Sequence, residues 1–139
     1  MKKELLRSIL VLSLLLVAGS AFAQTISISS NVPFAFNVAG KSLPAGEYSI
    51  KSMTSDGRTL ALKGSEPAAR MIVNSNGAQK IAPADATKLV FHVYGSEYFL
   101  SQIWVAGNDL GYQVPVSKRE RELAKSDASQ NLEVLAQLQ

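Results

Sequence analysis

The chain contains no cysteine and only one histidine, His92. Without a thiol there is no disulfide framework, no thiolate nucleophile, no cysteine-ligated metal and no lipid-modified cysteine. A metal site needs several ligands converging at fixed spacing. The sequence has neither a His-x-x-x-His pair nor a cluster of His92 with carboxylates. Serine nucleophiles fare no better, because neither a G-x-S-x-G elbow nor an S-x-x-K motif is present. Gly40-Lys41-Ser42 lacks the upstream glycine of a phosphate-cradling loop. Past the first 23 residues no apolar run approaches the roughly 20 residues that span a bilayer. The many alternating segments of an outer-membrane barrel are missing as well.

What is present begins with residues 1–23. Lys2 and Lys3 open the stretch, an apolar run from Ile9 to Ala18 follows, and Ala21-Phe22-Ala23 closes it. A basic start, a short apolar core and small residues at −3 and −1 describe a secretory signal peptide. Cleavage is expected between Ala23 and Gln24, with Ala21 in the −3 position, and the mature chain is expected to be secreted or periplasmic. Removing Lys2, Lys3, Arg7 and Glu4 with that segment leaves 11 basic and 10 acidic residues, so the formal charge falls from +3 to +1. A near-neutral chain of that kind gives no electrostatic case for nucleic acid. The one basic cluster, Lys118, Arg119 and Arg121, is interleaved with Glu120 and Glu122 and reads as a solvated helix face.

The remaining 116 residues are the size of one ordinary domain and bury a core without staples. Turn signals recur about every eight to twelve residues: Gly40-Lys41, Pro44-Ala45-Gly46, Asp56-Gly57, Asn76-Gly77, Gly95-Ser96 and Gly107-Asn108. Between them lie short runs rich in Val, Ile, Thr, Phe and Tyr, predicting strands near 25–30, 32–38, 46–53, 59–63, 69–74, 87–94, 98–105 and 111–116. The expected fold is mainly β, an antiparallel β-sandwich or open β-barrel over residues 24–116, with a short C-terminal α-helix and tail over 117–139.

Two hairpins can be set in register. At Asp56-Gly57 a three-residue loop, with Gly57 left-handed, pairs Ile50 with Leu62 and Ser52 with Leu60. That gathers Tyr48, Ile50, Leu60 and Leu62 on one face, which a two-residue loop would split. At Gly95-Ser96 a two-residue II′ turn sets Phe91 opposite Leu100 and His92 opposite Phe99. Simple alternation then places Leu89, Phe91, Val93, Tyr98, Leu100 and Trp104 on one face. Val90, His92, Tyr94, Phe99, Ile103 and Val105 fall on the other. Apolar residues on both faces predict a central, twice-covered strand pair, with the C-terminal segment as the cover. Ser117-Lys118-Arg119-Glu120 has capping-box spacing for a helix start. Leu132, Leu135 and Leu138, three apart, suggest a second short helix or a frayed tail.

His92, between Val90 and Tyr94, reads first as a packed, hydrogen-bonded histidine. Trp104 with Tyr98 and Tyr112 offers a stacking platform for sugar rings or an extended peptide, although packing in the core is the competing reading for Trp104. The turn acids Glu47, Asp56, Glu66, Asp85, Glu97 and Asp109 make a glycosidase-type pair only if two of them converge in space. No catalytic residue, metal ligand or cofactor is expected.

Three stretches carry a resemblance. Val32-Pro33-Phe34-Ala35-Phe36 leads into Gly40-Lys41-Ser42-Leu43-Pro44-Ala45-Gly46-Glu47-Tyr48. Then come Leu89-Val90-Phe91-His92-Val93-Tyr94-Gly95 with Tyr98-Phe99-Leu100-Ser101-Gln102-Ile103-Trp104, and finally Ser117-Lys118-Arg119-Glu120-Arg121-Glu122-Leu123. Over nearly the whole mature length this resembles a family of small secreted β-domain proteins frequent in soil acidobacteria. The resemblance implies export and a β domain but brings no activity, cofactor or catalytic residue. The expected function is therefore a non-enzymatic envelope or extracellular module that binds protein or polysaccharide. The alternatives are a small hydrolase working through carboxylates or His92, and a self-assembling envelope protein. The sequence leaves the oligomeric state open.

Overall fold

The computed structural model describes residues 26–139, together with Lys3. Lys3 apart, the expected signal peptide lies outside the described residues, and so does the expected cleavage site at Ala21, Ala23 and Gln24. The strands are β1 (Ser27–Val32), β2 (Phe36–Val38), β3 (Lys41–Leu43), β4 (Gly46–Ser52), β5 (Thr59–Gly64) and β6 (Arg70–Asn74). They continue with β7 (Asn76–Gln79), β8 (Lys88–Tyr94), β9 (Glu97–Trp104), β10 (Leu110–Gln113), β11 (Gln130–Leu135) and β12 (Gln137–Leu138). One helix, α1 (Lys118–Ala124), precedes the last two.

Two sheets face each other as a β-sandwich, with no closed barrel among the described residues. One sheet runs β12-β1-β4-β5-β6. The other runs β11-β8-β9-β10-β7, with the β2–β3 hairpin added alongside β9. The predicted run 32–38 is split between β1 and β2, because Pro33 has no N–H to give a ladder.

The β4–β5 register is the one that burial selects: Ile50 lies opposite Leu62, Ser52 opposite Leu60, and Gly57 takes φ +72°. Tyr48, Ile50, Leu60 and Leu62 are all buried in the space between the sheets. From the other sheet Leu89, Phe91, Leu100 and Ile103 meet them. The β2–β3 hairpin adds Phe36, Val38 and Leu43, with the Phe36 ring edge-on to both Tyr48 and Phe91.

The central β8–β9 hairpin keeps the predicted pairs Phe91–Leu100 and His92–Phe99, and Gly95 holds φ +62° as a II′ turn requires. The face assignment beyond Leu100 differs from simple alternation. Phe91 pairs with Leu100 but Val90 pairs with Gln102, so Ser101 is an extra residue on β9. A bulge of this kind inverts the side-chain alternation past it. Ile103 and Val105 therefore join the main core, and Trp104 moves to the outer face beside Val90 and Ala84.

Two segments cover that outer face. The chain 80–87 lies over Trp104, tied down by Lys80 N–H to Asp109 O and Ala84 N–H to Asn108 O, both 2.8 Å. Helix α1 covers His92 and Tyr94. The Ser117 hydroxyl caps α1 by accepting from the Glu120 N–H at 3.2 Å. The Glu120 side chain does not complete the capping box. It turns inward to the sheet.

The C-terminal tail is neither helix nor frayed end. Leu132, Val134, Ala136 and Leu138 recur every second residue. Leu132 and Val134 pair with Phe91 and Leu89 in one sheet, and Leu138 pairs with Ile28 in the other. The three-residue leucine spacing masked this period of two. Leu135 in fact lies opposite Lys88, on the other face from Leu132. At Ala136 the chain passes from one sheet to the other, fixed by Ala136 N–H to Thr87 O at 2.9 Å and Ser30 Oγ to Leu135 O at 2.8 Å. The opposite side of the sandwich is built alike. Asn76-Gly77 is not a turn but the start of β7, and β6 crosses between the sheets at Ser75. Strands that switch sheets make such corners.

Candidate functional site

At the Ser75 corner the two sheets part around a cavity of about 440 Å³, within the range of small-molecule sites. The β4–β5 turn forms one wall. Its Asp56 Oδ1 accepts from the Thr54 hydroxyl at 2.7 Å and the Arg58 N–H at 3.0 Å. The Thr54 hydroxyl in turn accepts from the Thr59 N–H. Those bonds, that to Thr54 first, hold the Asp56 carboxyl below the usual carboxylate range. Ser75 Oγ donates to Gly57 O at 2.7 Å and locks the turn to the corner.

The β9–β10 loop forms the facing wall with Asn108 and Asp109. Both backbone carbonyls are taken by the 80–87 segment. Their side chains have no hydrogen-bond partner among the described residues. Tyr112 completes the cavity from β10. Its ring lies so close to Gly57 that a Cβ there would overlap Cε1, so this left-handed position also needs glycine for space. The half-buried Tyr112 hydroxyl is likewise without a partner among the described residues, and burial pushes its pKa up.

Asp56 and Asp109 are thus two turn acids that the fold brings to one cavity. Glycosidase chemistry needs one carboxyl raised so that it can deliver a proton. Asp56 is shifted in the opposite direction, which leaves it a fixed anion and a poor general acid.

The aromatic platform of Tyr98, Tyr112 and Trp104 is not assembled. Tyr98 stacks on Phe34 with ring centroids 4.0 Å apart. Tyr112 pairs with Ile103, five residues further along β9, or about 17 Å of strand. Trp104 is buried on the outer face, with Lys80 Nζ 4.3 Å from its ring centroid and its Nε1–H donating to Gln102 at 3.1 Å. Of the three, only Tyr112 lines the cavity.

His92 sits in a second polar arrangement. Its Nδ1 is 2.7 Å from Glu120 Oε1, and its Nε2 is 3.2 Å from Ser101 Oγ. The imidazole thus makes one hydrogen bond with the Glu120 carboxyl and one with the Ser101 hydroxyl. The Tyr94 hydroxyl donates to the same Glu120 oxygen at 3.4 Å. Hydroxyl, imidazole and carboxylate follow the order of a serine hydrolase triad. Yet Ser101 is buried in the bulge, Glu120 is 4% exposed, and neither lines the Ser75-corner cavity. The packed histidine expected from sequence is present, and its partners come from β9 and α1. Ser101, two residues after Phe99, falls on the His92 face by simple alternation, and it goes unnoticed as a partner when that face is defined by apolar residues alone.

Comparison of the chain with protein families, with curated proteins and with solved structures finds no match.

Proposed function

We propose that this protein is an exported, non-enzymatic module of the cell envelope or extracellular space that holds a polysaccharide in the Ser75-corner cavity. The observation that carries the reading is the set of three side chains left without internal partners around one cavity: the Tyr112 hydroxyl, the Asn108 amide and the Asp109 carboxylate. Adjacent sugar hydroxyls each donate and accept. An amide offers both functions, a carboxylate accepts at two oxygens, and a phenol does either. The wall opposite is already braced by Thr54, Asp56 and Ser75, so binding orders little new structure. Export rests on the N-terminal pattern and on the resemblance to secreted acidobacterial β-domain proteins.

Isothermal titration against soluble envelope polysaccharide fragments is expected to give saturable binding. Tyr112→Phe, which removes only the hydroxyl, is expected to weaken it by about three- to tenfold, the range of one hydrogen bond. Absence of heat with every glycan, together with an empty pull-down by envelope polysaccharide, sinks the reading.

A hydrolase acting through Ser101, His92 and Glu120 is the second reading, favoured by the triad order of their contacts. A fluorophosphonate probe tests it directly. We expect no labelling, since Ser101 is 6% exposed; labelling of Ser101 that disappears in His92→Ala would put the hydrolase first.

A further inference from the structure

We infer that the cavity selects a sugar unit carrying a free, protonated amine over its neutral or N-acylated counterpart. This rests on the polysaccharide reading above and adds the charge of the ligand to it. The two carboxylates on the cavity wall differ in how their charge is met. Asp56 is balanced, with the Arg58 Nε 3.5 Å from its Oδ2 and the Arg58 N–H and Thr54 hydroxyl on its Oδ1. Asp109 is not: no Lys, Arg or His nitrogen lies within ion-pair distance of it among the described residues.

The fold turns one candidate away. Lys80 is bound to Asp109 through its backbone, N–H to carbonyl at 2.8 Å, so its ammonium could have served the neighbouring carboxylate. Instead Lys80 Nζ lies over the Trp104 ring, 4.3 Å from the centroid, on the outer face of the sheet. The cation–π contact fixes that ammonium where it covers Trp104 rather than Asp109. One uncompensated negative charge therefore remains on a cavity wall, beside an amide and a phenol that lack partners. An ammonium group supplies three charge-assisted donors to such a wall. N-acylation removes the charge and two of those donors and adds bulk.

Asp109 is exposed, so the gain is that of a solvated ion pair, up to about fivefold in affinity at low salt. The experiment titrates the intact protein with glucosamine oligomers and with N-acetylglucosamine oligomers of equal length at about pH 6. The amine form is expected to bind about fivefold tighter, and the gap is expected to close at about 0.5 M salt, where screening acts over only a few ångströms. Asp109→Asn is expected to erase the same gap while leaving the far-UV spectrum unchanged. Equal affinity for the two oligomers overturns the amine selectivity and leaves the polysaccharide reading standing. A preference that survives both salt and Asp109→Asn removes Asp109 from the explanation. Binding of neither oligomer, with neutral glycans still bound, overturns this inference alone, and loss of all glycan binding overturns both.

Discussion

Replacing His92 by alanine lowers stability by about 2 kcal/mol, which for a domain of this size moves the thermal midpoint by on the order of 8 °C. The cause is not the lost imidazole packing but what remains. Glu120 is 4% exposed, and His92 Nδ1 at 2.7 Å is its closest partner. The His92 side chain is itself 29% exposed, so what is lost is the one short hydrogen bond to a buried carboxyl. A buried polar group left without its partner costs more than the bond contributes. The Tyr94 hydroxyl at 3.4 Å is too long a bond to compensate. Glu120 is also the only buried residue of α1, whose other strong tie is the exposed Arg119–Glu97 pair. The alanine variant should therefore show faster amide exchange through residues 117–125 before it unfolds. Adding Glu120→Leu to His92→Ala should recover part of the loss, because the orphaned carboxylate is then gone. A His92→Ala change below about 1 kcal/mol would mean that water reaches Glu120 and that the helix is held some other way.

Gly111→Ala has the second large effect. A Cβ at this position would stand 2.6 and 2.7 Å from Trp104 Cε3 and Cζ3 and 2.8 Å from Ile103 O. The indole cannot withdraw, since Lys80 and the 80–87 segment cover it, and the carbonyl belongs to the adjacent strand. Overpacking against a fixed ring and a backbone oxygen costs about 3 kcal/mol or separates β10 from β9. Trp104 is the only tryptophan, so its emission reports the outcome directly: a shift to longer wavelength and an earlier denaturant midpoint. Gly77→Ala is the matched control. No atom lies within 4 Å of a Cβ there, and the midpoint should stay put. Equal behaviour of the two variants would show that Trp104 does not rest on Gly111.

Much of the fold was legible because two hairpins encode their own register. Ile50–Leu62 follows from asking which loop length buries Tyr48, Ile50, Leu60 and Leu62 together, and Phe91–Leu100 follows from Gly95-Ser96. The inference broke at Ser101, where one inserted residue sent Trp104 to the far side of the sheet. A bulge conserves composition and local hydrophobicity, so periodicity counted across it carries no warning. The tail failed for a different reason. Leu132, Leu135 and Leu138 suit a helix, while Leu132, Val134, Ala136 and Leu138 suit a strand, and only edges left open on β1 and β8 decide between them. The cavity was the least legible part. Asp56-Gly57 and Gly107-Asn108-Asp109 each read as ordinary turns. What joins them is the pairing of β7 with β10 after the crossing at Ser75, a contact between segments far apart in sequence. Likewise His92 was recognisable as a hydrogen-bonded histidine, though it sits 29% exposed on the outer face, whereas Glu120 looked like half of a capping box.

The crossing at Ala136 has a consequence for how the molecule is made. Residues 130–138 supply the outermost neighbour of both β8 and β1, and β1 is joined to a strand more than a hundred positions away. Those two margins stay bare until residues 130–138 dock, and the contact that seals them is among the slowest kind to find. Folding therefore waits on this one segment, and a molecule in which it comes loose carries two open, adhesive seams at once.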